Sequence, residues 1–221
     1  MSSTRIIDLS YTTASDMLVY PQNQRPAFQW IGRVNSEGFN LTKVSMLVHT
    51  GTHVDAPKHF LDNVPCIDEL PLDRFFGKAK LFRFKSPLKG QEITIEDVVN
   101  SGFKLEEGAI FVLETGIERY AETKKYNELY PVPSEKLVDW LVEKKIRAYM
   151  TDATAVDYVG SETSPVHHQI LGAGIPIVEN LKNLHLLPEN RYFLISALPL
   201  KFKGREGAPC RAVAFPDIES I

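Results

Sequence analysis

Three of the six histidines in this chain fall within eleven consecutive positions of the string HTGTHVDAPKHF, His49 to Phe60, and Asp55 lies among them. Any fold the chain adopts must accommodate that cluster. Four titratable side chains so close together are costly to desolvate and give no return as packing. Imidazole nitrogens and a carboxylate, by contrast, are the donor set for zinc or a similar divalent ion, and one short segment carrying them lowers the entropy of assembling the site.

Geometry restricts how the string can act as a site. In a straight strand His49, His53 and Asp55 share a face, but His49 and His53 are then about 13 Å apart at 3.3 Å per residue. A helix would bring the i, i+4 pair together, yet Gly51 between two threonines, with Pro57 close behind, is poor helix material. A bend at Gly51 resolves the conflict: a bulge or tight turn there swings His49 back toward His53 and Asp55, whose i, i+2 spacing already suits one face. His59 is expected beyond an extended Pro57, away from the ligand cluster, where it faces a metal-associated water without ligating.

Short runs rich in β-branched and aromatic residues read as strands at 5–9, 28–34, 41–48, 79–84, 109–113, 147–151, 192–196 and 210–215. The clearest helix follows Pro133, with Ser134 as N-cap and Leu137, Val138, Trp140 and Leu141 at helical spacing before Lys144 and Lys145. Shorter helices are expected at 94–100 and 165–171. Strands dominate the first part and alternate with helices in the second, which predicts an α/β or α+β chain, rich in β, with a mixed sheet and helices on one side. The Gly172–Gly174 GAG follows a helix and precedes a strand, so it reads as a helix stop and not a phosphate loop.

A chain of 221 residues with no convincing linker is expected to form one domain, residues 1–221. Its 25 basic and 28 acidic residues leave a net charge of −3, which excludes an electrostatic case for a nucleic-acid or membrane partner and favours a small-molecule substrate. No apolar signal core or window of roughly 20 apolar residues is present, so a cytoplasmic protein is expected. Cys66 and Cys210 are far apart without a CxxC partner, and read as reduced packing residues. There is no GxSxG elbow, P-loop or dinucleotide fingerprint.

Downstream, His167 and His168 are adjacent and cannot face the same way on a helix. Spacing alone makes them helix-surface residues and leaves Glu179 as an ordinary strand-end glutamate.

The string HTGTHVDAPKHF resembles the HxGTHxDxPxH signature of the metal-dependent cyclase/hydrolase family, which includes bacterial kynurenine formamidases and isatin hydrolases. IIDLSYTTASDMLVYP, FVLETGIERY, HHQILGAGIPIVENLKNL and GREGAPCRAVAF look like further family segments in order, across nearly the whole chain. The resemblance implies that His49, His53 and Asp55 ligate a first metal, that Asp55 bridges to a second held by His167 and Glu179, and that His59 is the catalytic acid/base. His168 is left outside the ligand set.

It also implies a swivelling β/β/α domain, a homo-oligomer (dimer or larger), and one or two divalent ions, with zinc favoured over manganese. Where formamidases tend to carry tryptophan before proline, this chain has Tyr20-Pro21, and Tyr20 offers a π face to an aryl substrate. Ile117 stands where relatives often place an aromatic. The implied activity is hydrolysis of a small amide, foremost an aryl formamide such as N-formylkynurenine. Hydrolysis of a cyclic amide such as isatin, metal-dependent cyclase or lyase chemistry, and silent metal or ligand binding are the alternatives.

Overall fold

In the computed structural model, which describes residues 5–86 and 91–218, strand β1 (Ile7–Asp8) precedes a hairpin of β2 (Ala27–Gly32) and β3 (Leu41–Ser45), with one helical turn, α1 (Val34–Glu37), at its tip. Next come β4 (His53–Asp55), β5 (Phe76–Arg83), β6 (Glu92–Ile93), α2 (Ile95–Asn100), β7 (Ile110–Glu114) and β8 (Val132–Pro133). The second half carries α3 (Glu135–Glu143), β9 (Tyr149–Thr151), α4 (Pro165–Gly172), β10 (Ile177–Glu179), β11 (Phe193–Ser196), β12 (Gly207–Pro209) and β13 (Val213–Phe215).

Nine strands form one mixed sheet in the order β1-β13-β11-β5-β7-β9-β10-β4-β12. Its centre, β5 to β10, is parallel, while its outer strands pair antiparallel. Period-2 alternation sorts the central strands between two cores. Ile110 and Val112 join Leu81, Met150, Val178 and Ile195 in one; Phe111 and Leu113 join Phe82, Tyr149 and Ile177 in the other. Residues of α2, α3 and α4 complete only the second core, so these helices cover one face as expected. The other face curls on itself: Ser10, just past β1, bridges to Leu181, just past β10. This is an α+β fold.

The Ser134 cap and the glycine stop act as anticipated, and α2 carries a cap that was not. Ser134 caps α3 by accepting from Leu137 N at 3.3 Å, and Thr94 and Asp97 form a reciprocal capping box on α2. Gly174, with φ +71°, follows the end of α4. The expected strand at 41–48 stops at Ser45, because the chain turns at Val48–His49 to enter the site. The three-residue strands β4, β10 and β12 lie outside the eight expected runs, too short to show alternation. A strand end at Glu179 was nonetheless expected, and it is present.

The β2–β3 hairpin pairs only within itself among the described residues. Phe28 and Val44, which are cross-strand partners, are exposed, as are Trp30, Ile31 and Leu41.

Candidate active site

The bend required at Gly51 is present: its φ is +65°, in the left-handed region that glycine enters without strain. Thr52 Oγ1 pins the turn, donating to Asn180 O at 2.6 Å and accepting from Tyr11 N at 2.9 Å. His49 thereby folds back until its Nδ1 lies 2.6 Å from Asp55 Oδ1. Strand β4 then runs between β10 and β12, with His53 directly opposite Glu179 in the ladder.

The segment Pro57–His59 differs from expectation. It is a 3-10 turn and not an extended run. Proline excludes the helical region for the residue before it, so the extended position is Ala56 (φ −90°, ψ 161°), and Pro57 itself starts the turn. His59 is consequently brought into the cluster, stacked on His49 with ring centroids 3.9 Å apart.

On the other side, α4 and β10 deliver His167 and Glu179. His167 Nε2 is 3.5 Å from Glu179 Oε1 and 3.9 Å from Asp55 Oδ2. His53 Nε2 is 3.3 Å from Asp55 Oδ1 and 3.5 Å from Glu179 Oε2. The two chain segments, more than a hundred residues apart in sequence, thus share one buried centre. His168 is exposed and meets the Phe60 ring edge-on, 5.3 Å between centroids.

Hydrogen bonding fixes which nitrogens face that centre. His53 Nδ1 must donate to Gly51 O at 2.8 Å, since a carbonyl only accepts. His167 Nδ1 donates to Asp157 Oδ2 at 2.6 Å. Both Nε2 atoms therefore face the carboxylates of Asp55 and Glu179. These separations of 3.3–3.9 Å are long for charge-assisted hydrogen bonds. They match the roughly 3.4 Å between two ligand atoms each about 2.1 Å from one tetrahedral ion. Asp55 Oδ2, Glu179 Oε1 and His49 Nε2 are buried without any hydrogen-bond partner. Orphaned acceptors of this kind, converging from several residues, fit a divalent cation.

Two overlapping donor sets result, His53–Asp55–Glu179 and His49–Asp55–His59, with Asp55 common to both. The resemblance had grouped His53 with His49 on the first ion. Here His53 lies between His49 and Glu179, its ring 5.1 Å from that of His49 and its Nε2 3.3 Å from Asp55 Oδ1 and 3.5 Å from Glu179 Oε2, because the β4–β10 register places it opposite Glu179.

Electrostatics follows from the burial. Desolvation alone would depress His53 and His167, but the surrounding carboxylates outweigh it and raise them to about 9 and about 10. Desolvation would raise Asp55, yet the imidazoles of His49 and His53 hold its carboxyl well below the usual range. Burial, with Asp55 beside it, raises Glu179. His59 goes the opposite way: burial pushes it down to about 4, Asp55 opposing and the other histidines reinforcing.

Above the cluster opens a cavity of about 360 Å³, bordered by Tyr20 as well as by His49, His53, His59, His167 and Glu179. Ile117 is fully buried and lies outside it. Sequence reasoning missed four neighbours. Phe60 stacks on His167 (4.4 Å between centroids) and meets His59 edge-on (4.7 Å). Asp157 holds His167, and Glu206 Oε1 lies 3.9 Å from His49 Nε2. Gly207 lies against the His49 ring, where a Cβ would come within 2.7 Å of Cε1. Phe60 was visible inside the motif; the other three carry no spacing signal.

Comparison with known proteins places this geometry. The model of a family described as "Putative cyclase" matches residues 7–158. A kynurenine formamidase of Salinibacter ruber is 32% identical over 210 residues, covering 94% of this chain and 96% of that protein. Isatin hydrolase A from Labrenzia aggregata, solved bound to benzyl benzoate, superposes with a TM-score of 0.85 at 26% identity, over 95% of this chain and 93% of that one. A solved protein described as a potential metal-dependent hydrolase with cyclase activity is similar at TM-score 0.81 and 26% identity, over 96% and 98% of the two chains.

Proposed function

The chain belongs to the cyclase family, and on that premise we propose that it is a metal-dependent hydrolase of a small amide, foremost an aryl formamide such as N-formylkynurenine. The observation that carries this reading is the convergence of buried, unpartnered donor atoms from Asp55, Glu179 and His49 with the Nε2 atoms of His53 and His167. His49, His53, Asp55, His167 and Glu179 would hold one or two divalent ions, zinc in the first instance and manganese as the alternative. Such an ion supplies Lewis acidity that polarises a carbonyl and acidifies water.

The protein's own groups supply the rest. With its pKa near 4, His59 is neutral at neutral pH and free to accept a proton. It takes one from water as the water oxygen adds to the carbonyl carbon, and returns it to the departing nitrogen as the C–N bond breaks. For a formamide the products are formate and the free amine. Tyr20 borders the cavity and offers its ring to an aryl group. Hydrolysis of a cyclic amide such as isatin is the second reading, favoured by the likeness in fold to isatin hydrolase A.

Steady-state rates on N-formylkynurenine and isatin, before and after exhaustive chelation, test the proposal. Turnover is expected to vanish with the metal and return on adding zinc or manganese, with one atom of oxygen-18 from labelled water in the product acid. Rates indifferent to complete chelation, or an unlabelled acid, sink it.

The reading extends to assembly and location. Eight large apolar side chains on or beside the hairpin, namely Phe28, Trp30, Ile31, Val34, Phe39, Leu41, Val44 and Leu47, are exposed. A contiguous run of apolar side chains on a hairpin that pairs with no other strand among the described residues is the kind of surface a subunit interface covers. A homodimer or larger oligomer covering the hairpin follows, and Trp30→Glu is expected to reduce the mass measured by light scattering. An unchanged mass would place the interface elsewhere. Both cysteines are free, and no described helix is long and apolar enough to cross a membrane; both facts are compatible with a cytoplasmic enzyme.

A further inference from the structure

His167 reaches the shared centre from a helix whose own start is unusual. The residue in the N-cap position, Ser164, is left-handed (φ 43°, ψ 55°) and makes no side-chain cap, so the first N–H groups of α4 lack the usual acceptor. Asp157 supplies it from outside the helix. Its Oδ1 accepts from Val166 N at 3.1 Å, and its Oδ2 accepts from His167 N at 2.9 Å and from His167 Nδ1 at 2.6 Å. Three donors thus converge on one buried carboxylate that can only accept. The loop is held in turn by the Tyr130 hydroxyl, which donates to Asp157 O at 2.7 Å.

We propose that Asp157 is the positioning residue of the site: one carboxylate sets both the start of α4 and the ring orientation of His167, aiming Nε2 at Asp55 and Glu179. His53, the matching histidine on β4, is oriented by a backbone carbonyl and needs no such side chain. This inference rests on the metal-dependent reading above for its consequence, since an imidazole whose Nδ1–H is held by a carboxylate is a better-oriented and more basic ligand.

Asn is the discriminating substitution because it preserves shape while replacing one acceptor oxygen with a donor. Either Val166 N–H, or both His167 N–H and its Nδ1–H, then faces an NH2. In Asp157→Asn, affinity for Zn(II) or Mn(II), measured by equilibrium dialysis, is expected to fall about 10- to 100-fold. Tyr130→Phe loosens the same loop without touching the carboxylate, and is expected to keep affinity within about threefold. Equal losses in both variants, or unchanged affinity in Asp157→Asn, overturn the proposal. A second readout is independent of metal: chelator-treated wild type should show a downfield, slowly exchanging imidazole N–H proton that is absent from His167→Ala and shifted in Asp157→Asn. Its absence from wild type overturns the inference even if Asp157→Asn does not fold, whereas its presence in a protein that binds neither metal condemns the metal reading alone.

Discussion

The site has a near arm and a far arm, built by different means. The near arm, His49 to His59, is a single bent segment whose orienting contacts are largely its own: Gly51 O holds His53, and Asp55 holds His49. The far arm takes His167 from a helix and Glu179 from a strand, and depends on Asp157, ten residues upstream, for its aim. A local device can be recognised by spacing, because its geometry follows from the residues between its ligands. A tertiary device cannot, since its ligands meet only after the sheet and α4 have packed.

Substitution of single imidazoles is the strongest way to break that comparison. His53→Ala is expected to lose metal and activity together. His59→Ala should retain metal while turnover falls by about 10²- to 10⁴-fold, the range for removing a general acid/base. His167→Ala, on the far arm, should bind less metal per chain and keep part of the turnover. Metal content by atomic emission beside kcat decides. If His53→Ala and His167→Ala lose equally, the arms form one indivisible centre.

What was legible in the sequence divides along the same line. The need for a turn at Gly51 followed from the 3.3 Å rise of a strand, and the turn is there. The Ser134 cap of α3 is local chemistry and was read too; the Thr94–Asp97 box on α2 is equally local and was passed over. Spacing alone gave His167 and Glu179 no role; only the family resemblance assigned them one, and only the sheet register shows Glu179 opposite His53. The course of the chain after Pro57 was misread, because the extended bias belongs to the residue before a proline and was carried past it. Asp157 was silent, and Glu206 and Gly207, though inside the GREGAPCRAVAF segment, were given no role, as each acts through a contact across the fold.

Acidity offers a second test, of intermediate size. In the metal-free protein, His53 at about 9 and His167 at about 10 are protonated at neutral pH, and an ion must displace those protons. Metal affinity should therefore rise by up to roughly tenfold per pH unit for each displaced proton, levelling above pH 9–10. Folding stability moves the other way in chelated protein. Both folded-state values lie above the unfolded value of about 6.5, so their contribution is complete below that pH and is lost as pH rises through 9 to 10. Thermal melts of chelated protein should fall on the order of 5 °C between pH 6.5 and 10 relative to loaded protein. Parallel curves would mean that the imidazoles release no protons to the ion.

The smallest expected effects come from two glycines, one packed against the near arm and one within the far arm. Gly207 faces the near arm, where an added Cβ would lie 2.6 Å from Val54 O and 2.7 Å from His49 Cε1. A backbone oxygen cannot step aside cheaply, so Gly207→Ala must push β12 from β4 and turn the His49 ring. That overpacking is expected to cost about 1–3 kcal/mol and to lower kcat as His49 leaves Asp55. Gly172 is the last residue of α4 on the far arm, has no left-handed φ, and would place a Cβ in open space. Gly172→Ala is therefore expected to be neutral, or to stabilise by up to about 1 kcal/mol through lost freedom in the unfolded chain. Urea midpoints and kcat for the pair check this. A Gly207→Ala protein with unchanged kcat would show that the near arm does not depend on the fit between β12 and His49, and would leave Gly51 as its principal constraint.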